Sequence, residues 1–341
     1  MKKGGCVVYI TVVIISHKRD TFLKNAVNSI LNQSINRSKY EIILVKDFNS
    51  DVDSWLRKHR VKLLYVPGKK IGPKLFNALR YSHGEIISFL DDDDIFLSGK
   101  LNKVYSIFKE NKNLGYYRNN FVTINKKGKL VNTHFLEYSR NKIKKMRKFF
   151  VLDNQKHKLV KDMLDVNFDS LPSCISIRKN ILLDNIKYLK KIDLEQDWFS
   201  FYSTLASKYD MLCDNSRLTG YRIHDKNTSI SKNLSDKIKF NNRAIYSYNI
   251  IITMLKEKRN YLYYNFAKAN LIGYEMENSI LRKDKKARVL YLISKFWLYR
   301  FRFVYFHRYK FTIKILILLF LIILNYKYGR KIYIKQSTPI L

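Results

Sequence analysis

Four consecutive aspartates, Asp91-Asp92-Asp93-Asp94, end an apolar run, Glu85-Ile86-Ile87-Ser88-Phe89-Leu90, that reads as a buried strand. Carboxylates packed this closely repel one another. Such a run is therefore either a solvated acidic loop or a place where a cation sits among the oxygens. The chain is sparing with acid elsewhere, carrying 65 Lys and Arg against 28 Asp and Glu. Carboxyl ends of strands in open α/β sheets form the crevice where nucleotide-type ligands bind, and that position favours the second reading. Alternate aspartates there can hold Mg2+ or Mn2+ while a diphosphate supplies further oxygen ligands.

The elements that must position this run alternate in type along the chain. Residues 7–15 read as a strand, and Asp20 can cap a helix with Phe22, Leu23, Ala26, Ile30 and Leu31 on its apolar side. A strand over 41–45, a helix over 52–59 and a strand over 61–66 follow. Pro67-Gly68 and Gly72-Pro73 then punctuate a loop before a helix over 74–81 and the strand that ends in the aspartates. This βαβαβαβ order predicts an α/β fold with a Rossmann-like, mostly parallel sheet flanked by helices. Beyond Asp94 the pattern gives a helix over 97–108, a strand over 116–124 and a turn at 126–128. The cation-dense run 140–148 reads as a solvated helix face or a membrane-facing segment, and short elements crowd 165–230.

With 341 residues and 46% hydrophobic content the chain is long enough for a large domain with an appendage. Cys6, Cys174 and Cys213 show no paired metal spacing, which argues against structural zinc and favours a reducing compartment. A formal charge of +37 demands an anionic partner or surface. After Asp284 there is no acidic residue, while thirteen Lys and Arg are interleaved with aromatics. Within that stretch, 315–324 is an unbroken apolar run; extended to 311–326 it offers about 14 residues or slightly more, where a membrane span needs about 20. Upstream, 290–306 has the aromatic and basic composition of a helix lying in a bilayer interface. The expectation is a helical C-terminal region, 231–341, bound to a membrane surface as a monotopic or re-entrant element, with a buried core helix as the alternative. Residues 1–15 lead into a strand pattern and show no cleavable signal, so the basic mass is expected at the cytoplasmic face of the cell membrane.

In order and spacing the chain resembles the family-2 glycosyltransferases, which have the GT-A nucleotide-sugar fold. Four landmarks carry the resemblance: Val12-Val13-Ile14-Ile15-Ser16-His17-Lys18-Arg19; Ile43-Leu44-Val45-Lys46-Asp47-Phe48-Asn49-Ser50-Asp51; Asn77-Ala78-Leu79 through Gly84 to Asp94; and Glu195-Gln196-Asp197-Trp198. The resemblance covers about residues 7–230, implying a catalytic domain over 1–230 with a nucleotide-sugar half, 1–125, and an acceptor half, 126–230.

The resemblance implies roles position by position. Asp93 would be the direct metal ligand and Asp91 the first carboxylate of a DxD pattern, near the ribose or the metal. Ser16, His17, Arg19, Asp51 and Asp92 would line the nucleotide pocket. Asp47 would accept a hydrogen bond from the base N3–H, which suits uracil or thymine, with a UDP-type donor favoured. Lys46 stands where an acidic residue is common in the family and Phe48 where Gly is common. Asp197 is the implied general base, taking the acceptor hydroxyl proton in an inverting transfer, with Glu195 as its rival. A continuous helix would point the two about 200° apart, so only one would face the acceptor; a plain acid-rich first helical turn is the alternative. Alternation puts Arg222 and His224 on one face, Arg222 as phosphate clamp and His224 as third metal ligand or as a structural histidine.

The implied activity is transfer of a sugar from a nucleotide-diphosphate sugar to an acceptor hydroxyl on a lipid-linked or membrane-proximal glycan. A non-catalytic basic binder of nucleic acid or anionic lipid would also use the charge. No nucleic-acid module is recognisable, however, and four clustered aspartates repel phosphate, so no nucleic-acid partner is expected. A nucleotidyltransferase is disfavoured because Ser16-His17-Lys18-Arg19 replaces a glycine-rich phosphate loop.

Overall fold

The computed structural model describes residues 8–131, 149–165, 168–225, 227, 233–301, 326 and 331. Two compact units meet in the sequence between His224 and Asp225.

The first unit is built on a nine-stranded sheet of order β3-β2-β1-β4-β8-β6-β9-β5, with β7 also paired to β9. Its first four strands are β1 (Ile10–Ile15), β2 (Tyr40–Lys46), β3 (Val61–Tyr65) and β4 (Ile86–Asp91). They are mutually parallel, joined through α1 (Leu23–Leu31), α2 (Val52–Lys58) and α3 (Ile71–Tyr81). β1 and β4 are apolar along nearly their whole length because helices cover both faces of a parallel sheet. β3 lies at the edge, and only its first residue, Val61, is buried. Ile10, Val12 and Ile14 pack with Leu23, Ala26, Val27 and Ile30 of α1 and with Leu101, Val104 and Phe108 of α4 (Lys100–Glu110). Ile15 stands level with Val45 on one side and Asp91 on the other, so β1, β2 and β4 end together.

The remaining strands are β5 (Ile95–Phe96), β6 (Leu114–Ile124), β7 (Phe149–Val151), β8 (Ile175–Arg178) and β9 (Asp210–Arg222). Here the expected mostly parallel sheet is corrected: β8 lies antiparallel between β4 and β6, and β9 is parallel to β6 but antiparallel to β5 and β7. The sheet is mixed where β8 enters from the tight Pro172–Cys174 turn, whose Ser173 binds the aspartates, and so runs opposite to β4. Ser88 and Ser176 close that seam with a buried hydroxyl pair at 2.8 Å. α5 (Lys156–Asp165), α6 (Lys179–Leu183), α7 (Ile186–Leu189) and α8 (Gln196–Leu205) complete the unit.

Two local expectations shift. α1 starts at Leu23 with Phe22 as its cap, and Asp20 contributes its backbone carbonyl, accepting from Leu23 N at 3.0 Å. Gly72-Pro73 form no loop but lie in the first turn of α3, where proline's missing N–H costs nothing. A Cβ at Gly72 would collide with the carbonyl oxygens of Leu189 and Ile192, so glycine is what lets α3 sit against the segment leading to Glu195.

The second unit comprises α9 (Leu234–Glu257), α10 (Tyr261–Leu281) and α11 (Lys286–Phe301) among the described residues. Asn233 caps α9, accepting from Asp236 N at 2.9 Å. Ile272, Met276 and Ile280 of α10 pack on Val289, Leu292, Ile293 and Phe296 of α11. A polar seam joins α9 to α10 through Asn241 to Glu277 and Asn278 to Asn242, each at 2.9 Å. No described helix is long and apolar enough to cross a membrane. The apolar segment 311–326, save Tyr326, the basic run 140–148 and Cys6 lie outside the described residues.

Candidate active site

Asp91 is the last residue of β4, and Asp92-Asp93-Asp94 turn away from the strand end. Three elements hold this turn. From the Pro172–Cys174 turn, the Ser173 hydroxyl donates to Asp94 Oδ2 at 2.6 Å and accepts from Asp91 N at 3.0 Å. From the end of β9, Arg222 N donates to Asp94 Oδ1 at 2.9 Å and Arg222 Nε to the Asp93 carbonyl at 2.7 Å. From the loop after β1, Arg19 pairs with Asp92 and reaches Asp93 Oδ2 at 2.8 Å, while the Ser16 hydroxyl donates to Asp92 Oδ2 at 2.5 Å.

Burial dominates the electrostatics. It pushes the Asp91 carboxyl well above the usual range, with Asp94, Asp93 and Asp92 adding repulsion. Asp94 is pushed up to about 8 by burial and by Asp93, against the hydrogen bonds from Ser173 and Arg222. Asp92 is also raised by burial, although Arg19 opposes it. The cluster holds at least one proton near neutrality and has spare affinity for positive charge.

Beside it, Asp47 at the end of β2 is gripped by the His17 ring, by Lys18 N at 3.2 Å and by Lys74 Nζ at 3.7 Å. Burial would raise its carboxyl, but the hydrogen bonds from His17 and Lys18 and the charge of Lys74 hold it below the ordinary value. His17 remains substantially exposed, while the Asp47 side chain beneath it is nearly buried. Asp51 does not join: it stands exposed at the start of α2. Arg222 is less free than a phosphate clamp requires, since its Nη1 donates to the Asn125 and Lys126 carbonyls, each at 3.0 Å.

His224, just past β9, sets Nε2 2.9 Å from Asp93 Oδ2. Phe22 supports both residues, its ring 5.0 Å from the His224 ring and 4.6 Å from the Arg222 guanidinium. Among the described residues no three His, Cys, Asp or Glu side chains already surround one cation position. The donor chemistry nonetheless suits Mg2+ or Mn2+: carboxylate oxygens of Asp91 and Asp93 with an imidazole nitrogen alongside. Arg19 stands on the oxygen that such an ion would need.

The acidic pair departs from expectation in an informative way. Glu195 precedes α8 with φ 65° and ψ 58°, in the left-handed region, so the helical 200° separation does not apply. Instead Glu195 and Asp197 hydrogen-bond to each other side chain to side chain. Burial pushes Glu195 well above its ordinary value, and Asp197 adds to the rise. Burial also raises Asp197, to about 6, while the Glu195 hydrogen bond and backbone N–H groups, including Trp198 N at 3.0 Å, hold it down. Glu195 is the protonated donor and Asp197 the carboxylate that accepts. Asp91 and Asp197 are near enough for the charge of Asp197 to raise Asp91.

Residues 11–168 match the family described as Glycosyl transferase family 2. Over that stretch the chain carries a family-2 glycosyltransferase domain. Among its relatives is the uncharacterized glycosyltransferase MJ1057 of Methanocaldococcus jannaschii, 23% identical over 248 residues, covering 71% of this chain and 77% of the relative. A second is the Escherichia coli UDP-Glc:alpha-D-GlcNAc-diphosphoundecaprenol beta-1,3-glucosyltransferase WfgD, 27% identical over 139 residues, 38% of this chain and 54% of that one. The glycosyltransferase fold recurs in S. aureus TarS 1-349 in complex with UDP-GlcNAc, with a TM-score of 0.51 at 11% identity over 86% of this chain and 89% of that one.

In this glycosyltransferase the residues missed from sequence are those that brace the site. Lys74 is fully buried and donates to the Ser16 carbonyl at 2.8 Å. A lysine inside the apolar stripe formed with Leu75, Ala78 and Leu79 was its signal. Lys46 is buried on Asp53 with Ser50 at 2.9 Å, which accounts for a cation where the family commonly has an acid. Ser173 had no local signal, because its partners lie about eighty residues upstream.

Proposed function

We propose that this glycosyltransferase transfers a sugar, with inversion, from a UDP-linked donor to an acceptor hydroxyl, using a divalent metal. The observation that carries the proposal is the proximity of two charge systems. The aspartates at the end of β4 and the Glu195–Asp197 pair lie closely enough for Asp197 to perturb Asp91. A donor diphosphate at the first and an acceptor hydroxyl at the second bring the reacting atoms together.

In this reading Asp47 accepts the N3–H of uracil, with His17 and Lys74 fixing its carboxylate. Asp91, Asp93 and His224 hold the Mg2+ or Mn2+, which when bound neutralises charge on the departing diphosphate. Asp197 takes the acceptor proton as the hydroxyl oxygen bonds to the anomeric carbon and the bond to the diphosphate oxygen breaks. Protonated Glu195 keeps the Asp197 carboxylate oriented. Arg222 fixes the loop carrying Asp93.

A lipid-linked or membrane-proximal glycan is the proposed acceptor class, supported by the lipid-diphosphate acceptor in the name of the E. coli relative and by the basic, aromatic C-terminal sequence. The same sequence supports attachment to the cytoplasmic face of a membrane. The test is calorimetric titration of the full chain with UDP, GDP and UDP-sugars, with and without Mn2+, followed by transfer to polyprenyl-diphosphate-linked sugars. Metal-dependent UDP binding lost in Asp93→Ala, with product formed only on the lipid-linked acceptor, is expected. Failure of every nucleotide to bind folded protein overturns the proposal.

A further inference from the structure

We infer that Arg19 is a resident counter-cation of the aspartate cluster, which must leave Asp93 before a metal can enter and thereby couples metal binding to diphosphate binding. This inference rests on the metal-dependent donor site proposed above.

The geometry sets two guanidinium groups on Asp93 in different ways. Arg222 grips its backbone carbonyl and is anchored by two further carbonyls, so moving it would undo the loop. Arg19 grips its carboxylate at 2.8 Å and that of Asp92, using only side-chain charge. Its side chain keeps 20% of its surface exposed, leaving a path outward, whereas Arg222 is 1% exposed. Lys18, immediately before it, holds φ 50°, a left-handed conformation that is strained for a non-glycine residue.

Asp93 Oδ2 lies within reach of both Arg19 and His224 Nε2 at 2.9 Å. A divalent ion bound there would face the guanidinium at close range, so cation and Arg19 compete for the same oxygen. Entry of the ion alone costs Arg19 its contact with Asp93 Oδ2. Entry with a nucleoside diphosphate offers Arg19 a replacement anion of matching geometry, since guanidinium binds phosphate oxygens in a fork. Each ligand is then worth more in the presence of the other, and the coupling is reciprocal.

The experiment titrates Mn2+ into the full chain, wild type, Arg19→Gln and Arg19→Lys, by electron paramagnetic resonance of free Mn2+. It is run first without nucleotide and then with saturating UDP, and melting temperatures check that each variant is folded. Arg19→Gln is expected to bind Mn2+ alone at least tenfold more tightly than wild type and to gain less from UDP, with Arg19→Lys between the two. Equal Mn2+ affinity of wild type and Arg19→Gln without nucleotide, while UDP still promotes metal binding, overturns the role of Arg19 and leaves the donor site standing. No Mn2+ binding by any variant with UDP present overturns the metal reading and this inference with it.

Discussion

Buried charge occurs twice at the carboxyl ends of these strands, in opposite states. At the end of β2, Lys46 with no exposed side-chain surface pairs with Asp53, which also accepts from Tyr65 at 2.6 Å. Burial alone would raise Asp53, but Lys46 and Tyr65 bring it below its ordinary value, so that pair is charged and satisfied. Around Asp91, burial is met by too little positive charge, and the carboxyls are raised. The Glu195–Asp197 pair is raised for the same reason. Similar side chains, similarly enclosed, either fasten α2 to the sheet or stand ready for a proton and a cation. What differs is whether the fold itself provides the partner.

The comparison breaks most sharply under substitution. Asp197→Asn should lower kcat by roughly 10²–10⁴-fold with the melting temperature kept, as loss of a general base does. Glu195→Gln can still donate to Asp197 and should retain most turnover; the reverse ranking in a steady-state assay would exchange their roles. Lys46→Met leaves a buried, unpaired carboxylate and should destabilise the fold by about 3–5 kcal/mol in urea unfolding. Arg19→Gln takes a cation from Asp92, but that carboxyl is already raised by burial and can take up a proton, so the substitution should cost less than Lys46→Met. Equal losses would erase the distinction between fastener and working charge.

Smaller effects sharpen it through pH. The proposed general base must be ionised to act and burial raises Asp197 to about 6, so kcat/KM is expected to rise through about pH 6 and level off above it. Asp94 is raised to about 8 in the folded chain, so the folded state binds the extra proton. That contribution to stability is full below about pH 4 and is lost as pH rises towards 8. Asp53 acts with the opposite sign: its contribution is present above about pH 4 and lost as pH falls through its lowered folded value. Thermal melts of Asp94→Asn should therefore show less loss of stability between pH 5 and 8 than wild type, and a slope unchanged by the substitution would refute the assignment.

Much of the first half was readable because local patterns decide it. Apolar runs of strand length, turn residues and the position of the aspartates after 86–90 together give four parallel strands and the site at their ends. The mixed half was not, since the choice of β8 as neighbour to β4 rests on pairing between residues such as Ser88 and Ser176 that no local window contains. Likewise the left-handed Glu195 broke the helical geometry assumed for the acid pair. Side chains that brace, such as Ser173 and Lys74, become visible only when distant elements are brought together.

The antiparallel placement of β8 also sets an order of assembly. During synthesis β1 to β4 can pair as soon as they emerge, but β4 then presents an open edge until β8 follows about eighty residues later. An apolar strand edge left waiting is a template for pairing with another chain, and non-local closure is slow. Until the turn that carries Ser173 docks, Asp91 and Asp94 also lack its hydroxyl. The growing chain thus passes through a stage that is sticky and has no catalytic centre, and completion of the seam ends both conditions at once.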